Sequence, residues 1–217
     1  MPTEPARRVR MGDRWLGAGE PVFVIAEIGL NHNGDLALAK RLVDAAVEAG
    51  ADAVKFQKRK LTETYRQEIL DQPRHGEQGL QYLVPLLIEF ELADDEFRDL
   101  FAYCRGRDVT FMCTPWDLAS VDFLESMHLD AYKIGSPDMT NFPLIEYVAA
   151  TRKPMLLSTG MSTEEEIRRT LAFLDEHQAE YALFHCVSTY PAAPEEINLR
   201  FMQTLREWSG RPVSWPE

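Results

Sequence analysis

The chain has 217 residues, 45% of them apolar and 27% charged, which suits one soluble core and does not require two domains. No apolar run approaches the roughly 20 residues that cross a bilayer, and the basic start MPTEPARRVRMGDRW lacks the apolar stretch of a secretory signal, so membrane partners are excluded and a cytoplasmic location is expected. A net charge of −12, with a pI near 4.9, argues against nucleic acid and anionic membranes, so any anionic ligand must be held by a few local cations.

In chain order, short apolar β-branched runs alternate with helical patterns. The runs are VFVIAEIG from Val22, ADAVKFQ from Ala51, VTFMCT from Val109, AYKIGS from Ala131, PMLLST from Pro154, YALFHC from Tyr181 and a closing PVSW from Pro212. Near-continuous hydrophobicity marks strands buried on both faces. Asp35 caps a helix with apolar positions Leu36, Ala39, Leu42, Val43 and Ala46, stopped by Gly50. Phe97, Leu100, Phe101 and Cys104 mark another helical face. Asn141 caps PLIEYVAATR, with Pro143 in its first turn. Ser162 and Glu165 fit a capping box ahead of Ile167.

Such alternation predicts a parallel sheet with right-handed crossovers. The runs lie mostly about 22 to 31 residues apart, the scale of a roughly 250-residue eight-unit barrel, and no Gly-rich dinucleotide turn follows the first strand. The predicted fold class is therefore α/β, a (β/α)8 TIM-type barrel incomplete at its C-terminal end, with about seven of eight strands present. Residues 1–217 form a partial catalytic domain, with 1–21 as an N-terminal extension. The stretch from Lys58 to Leu92 is too long for a tight loop and is expected to be a mobile flap. Cys104, Cys113 and Cys186 show no metal-ligand spacing and read as reduced, mostly buried thiols.

Active sites of parallel barrels lie at the C-terminal ends of the strands. Polar residues collect there: Glu27 with Asn31-His32-Asn33, Lys55 and Gln57, Thr114, Lys133 and Ser136, Ser158 and Thr159, then His185, Ser188 and Tyr190. Any one of them has a plain structural reading, such as a snorkelling Lys or a salt-bridged Glu. Six strands that carry such residues at one end do not, because buried charges are costly unless paired or functional. The set should meet in a single pocket. Two ammonium groups and a ring of hydroxyls suit a phosphate-plus-carboxylate anion, and Glu27 is a candidate general acid/base. A Schiff-base aldolase using Lys55 or Lys133 stays open on chemistry alone.

The segments AEIGLNHNGD, ADAVKFQ, FMCTPWD, AYKIGSPDMTNFPL, LLSTGMSTEEEI and LFHCVSTYPAAPEEINL resemble, in order, motifs of the N-acetylneuraminate (sialic acid) synthase family. The resemblance implies a transferase of carbohydrate biosynthesis that condenses phosphoenolpyruvate with N-acetylmannosamine or a related amino sugar. It implies that Lys55, Thr114, Lys133, Ser136, Ser158 and Ser188 bind phosphoenolpyruvate, that Glu27 is catalytic, and that Gln57, Tyr190 and Asp138 serve the sugar. It also implies a divalent metal (Mn or Mg) acting as Lewis acid, and a homodimer in the full-length form. His185 lies in the family's H-C motif and is equally readable as a packing residue. His75, His128 and His177 have no assigned role.

The sequence departs from the family at its end. The metal-ligand histidines of a G-[LY]-S-D-H-T-type motif and the C-terminal antifreeze-like domain are absent, so no metal ligands are assigned within this chain. A truncated synthase and a catalytically impaired ligand-binding or scaffold barrel both fit, and weak activity at best is expected of the isolated chain.

Overall fold

The computed structural model describes residues 7–75, 79–189 and 191–215. The chain divides into two compact units, Phe23–Leu129 and the remainder, Met1–Val22 with Asp130–Glu217. No helix among the described residues is long and apolar enough to cross a membrane.

The N-terminal extension contains a hairpin that the strand patterns did not reveal: β1 (Val9–Met11) pairs antiparallel with β2 (Arg14–Leu16). At three residues each, these strands are too short to show alternation.

The unit Phe23–Leu129 holds β3 (Ile25–Gly29), α1 (Leu36–Glu48), β4 (Ala53–Lys58), α2 (Leu61–Thr64), α3 (Gln67–Asp71), α4 (Leu80–Phe90), α5 (Asp94–Gly106), β5 (Thr110–Pro115) and α6 (Leu118–Glu125). Strand β4 lies between β3 and β5, parallel to both. Val54 and Phe56 on one side of it and Lys55 on the other are all buried, as expected of a strand covered on both faces. Helix α1 starts where Asp35 Oδ1 accepts from the Leu38 amide at 3.0 Å, and it buries Ala39, Val43 and Ala46. An aromatic cluster forms the core under α5: Phe56 stacks on Phe111 at 5.3 Å, while Phe97 and Phe101 meet Phe111 edge-on at 5.6 and 5.4 Å. Asp44 of α1 accepts from the Tyr103 hydroxyl of α5 at 2.9 Å and pairs with Arg107 at 2.9 Å.

The segment Lys58–Leu92, expected to be a mobile flap, is built of regular elements. It contains α2, α3, a 3₁₀ turn at Pro73–His75 and the 11-residue α4, which stays helical through Pro85. Leu80, Val84 and Leu87 recur at helical spacing, and Val84 and Leu87 are buried. The NHNGD turn after β3 sits against the end of this helix. Gly34 has φ +76°, and a β-carbon there would stand 2.5 Å from the Glu89 carbonyl oxygen, so only glycine allows the approach.

The other unit continues with β6 (Tyr132–Ile134), α7 (Phe142–Ala150), β7 (Met155–Ser158), α8 (Glu164–Glu176), β8 (Tyr181–Phe184), α9 (Phe201–Ser209) and β9 (Val213–Ser214). These strands are parallel neighbours in the order β6-β7-β8-β9. Asn141 Oδ1 accepts from the Leu144 amide, so the cap of α7 falls where the sequence puts it. The capping box of α8 lies one residue later than Ser162 and Glu165. Thr163 Oγ1 accepts from the Glu166 amide at 3.3 Å, and Glu166 Oε2 accepts from the Thr163 amide at 2.8 Å. Run STEEE offers two registers of the motif; burial of Ile167, Thr170, Leu171 and Leu174 selects one by fixing how the helix turns.

Thr163→Ala should lower stability by about 1 kcal/mol, read as a fall in the urea midpoint with unchanged slope. Cys104 and Cys113 are buried, and burial pushes both thiols up, Cys104 to about 12. A thiol reagent at pH 8 should therefore modify half-exposed Cys186 in the native protein and reach the other two only on unfolding. Equal labelling of all three in the native state would contradict this packing.

Candidate active site

Parallel pairing of β3 with β4 sets Glu27 opposite Lys55, and pairing of β4 with β5 sets Lys55 opposite Met112 and Gln57 opposite Thr114. Paired residues share a face and strands alternate, so Glu27, Lys55, Gln57 and Thr114 project on one side of the sheet. Lys55 Nζ lies 2.7 Å from Glu27 Oε2 and donates to Thr114 Oγ1 at 3.1 Å. The lysine is 6% exposed, whereas the Glu27 side chain keeps 53% of its surface open. The ammonium is thus sealed in the sheet, and the carboxylate faces outward to where a reactant can meet it.

A bulge between Glu27 and Gly29 shapes this end of β3. Gly29 has φ +57°, and a β-carbon there would stand 3.0 Å from Glu27 Oε1 and 3.5 Å from Gln57 Nε2. The space that glycine leaves is the space between those two side chains. Gln57 Oε1 accepts from Arg59 at 2.5 Å and from Trp116 Nε1 at 3.1 Å, which fixes the amide with its Nε2 towards Gly29 and Glu27.

The adjacent lysine serves the other face. Lys58 Nζ lies 2.8 Å from Asp94 Oδ1 and 3.7 Å from Glu91 Oε1, between the rings of Phe97 and Phe123. It ties β4 to the helices. His32 is also structural: it is buried, its Nδ1 accepts from the Gly34 amide at 3.2 Å, and burial lowers its pKa. It shapes the NHNGD turn as a neutral ring.

In the other unit the same device recurs. Lys133 on β6 pairs with Leu156 on β7, and its Nζ donates to Ser158 Oγ, two residues beyond, at 2.6 Å. Lys55 relates to Met112 and Thr114 in the same way. Lys133 also donates to the Ile134 carbonyl at 2.7 Å and lies over the Phe184 ring. Ser136 opens a 3₁₀ turn through Asp138. Asp138 Oδ1 accepts from Asn141 at 2.9 Å, but Oδ2 is sealed without a partner, and burial raises this carboxyl above its ordinary value. Ser188 Oγ donates to the Gly160 carbonyl at 2.9 Å, and the close packing of Gly160 on Cys186 leaves no room for a β-carbon.

His185 takes the packing role. It is buried between Phe201 and Trp215, with Nε2 donating to the Ile197 carbonyl at 2.7 Å. Tyr190 lies outside the described residues. Arg59 and Trp116, which hold Gln57, were not among the sequence candidates. Arg59 follows Gln57 by two residues, so strand parity offered a signal for it, but nothing local showed that Trp116 would arrive from β5. Among the described residues no three His, Cys, Asp or Glu side chains cluster as a metal-ligand set, so the residues present do not fit the divalent metal implied by the resemblance.

The NeuB family profile matches residues 42–215. The chain is 34% identical to human N-acetylneuraminate-9-phosphate synthase over 196 residues, covering 89% of this chain and 54% of that protein. It is 36% identical to N,N'-diacetyllegionaminic acid synthase of Legionella pneumophila over 210 residues, 93% of this chain and 58% of the relative. It therefore spans a little over half the length of these relatives. The crystal structure of N-acetylneuraminic acid synthetase from Leptospira borgpetersenii superposes with a TM-score of 0.85 at 31% identity, over 97% of this chain and 70% of that one. That likeness shows the fold class: α/β of the TIM-barrel type, to which this chain supplies seven parallel strands, β3 to β9. On sequence and structure together, the chain belongs to the NeuB family.

Proposed function

We propose that this protein is the catalytic (β/α) portion, residues 1–217, of a nonulosonic-acid synthase that condenses phosphoenolpyruvate with N-acetylmannosamine or a related amino sugar and releases phosphate. The observation that carries this reading is the buried lysine bonded to a hydroxyl on the next strand, present at Lys55–Thr114 and again at Lys133–Ser158. A sealed ammonium with a neutral donor beside it favours an anion locally even within a protein of net charge −12. The NeuB relatives named above are synthases of N-acetylneuraminic acid, N-acetylneuraminate 9-phosphate and N,N'-diacetyllegionaminic acid, in keeping with such a substrate.

In this reading Lys55, Thr114, Lys133, Ser136, Ser158 and Ser188 bind phosphoenolpyruvate, while Gln57, Asp138 and Tyr190 serve the sugar. The enol carbon of phosphoenolpyruvate forms a bond to the aldehyde carbon, whose oxygen takes up a proton. Water adds to the electron-poor carbon left behind and loses a proton, and the bond from that carbon to the phosphate oxygen breaks to leave a ketone. Glu27 is the group that moves protons: its carboxylate is half exposed and lies 2.7 Å from the Lys55 ammonium. The whole protein is taken to act in the cytoplasm as a homodimer on small-molecule substrates.

Calorimetric titration with phosphoenolpyruvate tests the cradle. Lys55→Ala and Lys133→Ala should each weaken binding by roughly 10- to 150-fold, the worth of about 1.5–3 kcal/mol for a charged hydrogen bond. Unchanged affinity in both variants would refute the reading. Glu27→Gln should leave that affinity within about threefold and slow phosphate release, with N-acetylmannosamine present, by about 10²- to 10⁴-fold. A lysine trapped on substrate by borohydride would instead establish Schiff-base chemistry.

A further inference from the structure

Gln57 is held from behind by two donors that the proposed chemistry does not use. Its Oε1 accepts from Arg59 at 2.5 Å and from Trp116 Nε1 at 3.1 Å, and the buried guanidinium lies 4.8 Å from the centre of the indole ring. Neither donor depends on the glutamine for its place. The Trp116 amide donates to the Lys58 carbonyl at 3.1 Å. Asp117 Oδ2 accepts from the Lys60 amide at 2.7 Å, while Oδ1 accepts from the Ser120 amide at the start of α6. Two backbone ties, one on each side of Arg59, therefore join the ends of β4 and β5 and set guanidinium and indole against the glutamine carbonyl.

A primary amide can turn over about its last bond, exchanging donor for acceptor. Turned over, Gln57 would bring its NH2 against two further donors. It would lose one charge-assisted and one neutral hydrogen bond, which disfavours that state by roughly 30-fold or more. The amide therefore presents Nε2, rather than Oε1, to the space over Gly29. There Nε2 stands 3.5 Å, and Glu27 Oε1 3.0 Å, from the position a β-carbon of Gly29 would take. The other oxygen of Glu27 is the one bound to Lys55. Among the described residues Nε2 makes no hydrogen bond, and it is not one of their sealed, partnerless atoms, which are Gln81 Oε1, Asp138 Oδ2 and His185 Nδ1. It is a donor left open to a ligand.

We propose that Arg59 and Trp116 are positioning residues that fix the polarity of the Gln57 amide, so that it meets the amino sugar as a donor, to an oxygen held across Gly29 from Glu27. A hydroxyl or aldehyde oxygen suits the gap, because it accepts from Nε2 on one side and exchanges a proton with the carboxylate on the other. The ligand half of this inference rests on the synthase reading and deepens it. The clamp itself does not.

Side-chain amide NMR signals of isotope-labelled protein test the two halves separately. The Gln57 signal is the one lost in Gln57→Met, and Arg59→Met, Arg59→Lys and Trp116→Phe are compared after their melting curves confirm folding. Without ligand, the Gln57 amide should be as ordered as rigid backbone, with an order parameter of about 0.85. It should fall below about 0.6 in Arg59→Met, with Arg59→Lys and Trp116→Phe between. An amide already mobile in the unsubstituted protein, or equally ordered in every variant, overturns the inference.

With saturating phosphoenolpyruvate present, N-acetylmannosamine should move that signal downfield. Arg59→Met should weaken sugar binding by about three- to tenfold, the range of one lost hydrogen bond, and leave phosphoenolpyruvate affinity within about threefold. In the Gln57→Met background Arg59→Met should weaken sugar binding no further, because its effect passes through the amide. A full additional loss there gives Arg59 its own contact with ligand or a general structural role, and overturns the inference. A Gln57 signal that the sugar leaves unmoved overturns it too, while the synthase reading stands. Absence of phosphoenolpyruvate binding from the unsubstituted protein overturns the synthase reading instead, and the order parameters still decide the clamp.

Discussion

The ion pair between Lys55 and Glu27 is the interaction on which the site depends. An ammonium buried in a sheet is held only if something nearby offsets its lost hydration. Glu27 does so at 2.7 Å and Thr114 adds an acceptor at 3.1 Å. Both partners come from neighbouring strands, and both are placed by pairing register. A slip of one residue in β3 would send Glu27 to the opposite face and leave Lys55 charged and half-satisfied. The register is therefore specified by electrostatics as well as by the apolar pattern, and the bulge at Gly29 is where the strand adjusts to it.

Alternation along β4 then sorts the charges by task. Lys55, Gln57 and Arg59 share one parity, and Phe56 and Lys58 the other. Phe56 joins the aromatic cluster under α5, and Lys58 is neutralised by Asp94 and Glu91 between two rings. The even positions hold the helices on the sheet. The odd ones carry hydrogen bonds that join the exposed carboxylate of Glu27 to Lys55 and clamp the amide of Gln57 with Arg59. The segment KFQKR, β4 and the residue after it, thus builds packing and chemistry from alternate positions. Long-range field has little part in it, because the chain is strongly acidic and these cations act over a few ångströms in a sheltered place.

The second lysine shows that this device is not a local accident. Lys133 reaches Ser158 across β6 and β7 in the same geometric relation that links Lys55 to Thr114 across β4 and β5. A side chain as long as lysine, leaning along its strand, meets the neighbour's residue two positions further on, and a hydroxyl there accepts a hydrogen bond from it. Ser188 and Asp138 are different in kind: the first is tied to the Gly160 carbonyl, and the second keeps one oxygen sealed without a partner.

The sequence by itself determined the strands and long helices, the caps at Asp35 and Asn141, and the identity of the polar strand ends, because each rests on periodicity or on contacts within three or four residues. It also determined family membership, through motifs that keep their order. It left the hairpin β1–β2 and the helices within Lys58–Leu92 unseen and set the α8 cap one residue early, where short strands, a helix carrying Pro85 and a run of glutamates give ambiguous local signals. Only the tertiary structure decided that Lys55 is paired with Glu27 and that Trp116 closes on Gln57 and Arg59. Those outcomes turn on which residue of a distant strand lies opposite. That is fixed by the packing of the whole sheet and leaves no trace in neighbouring positions of the chain.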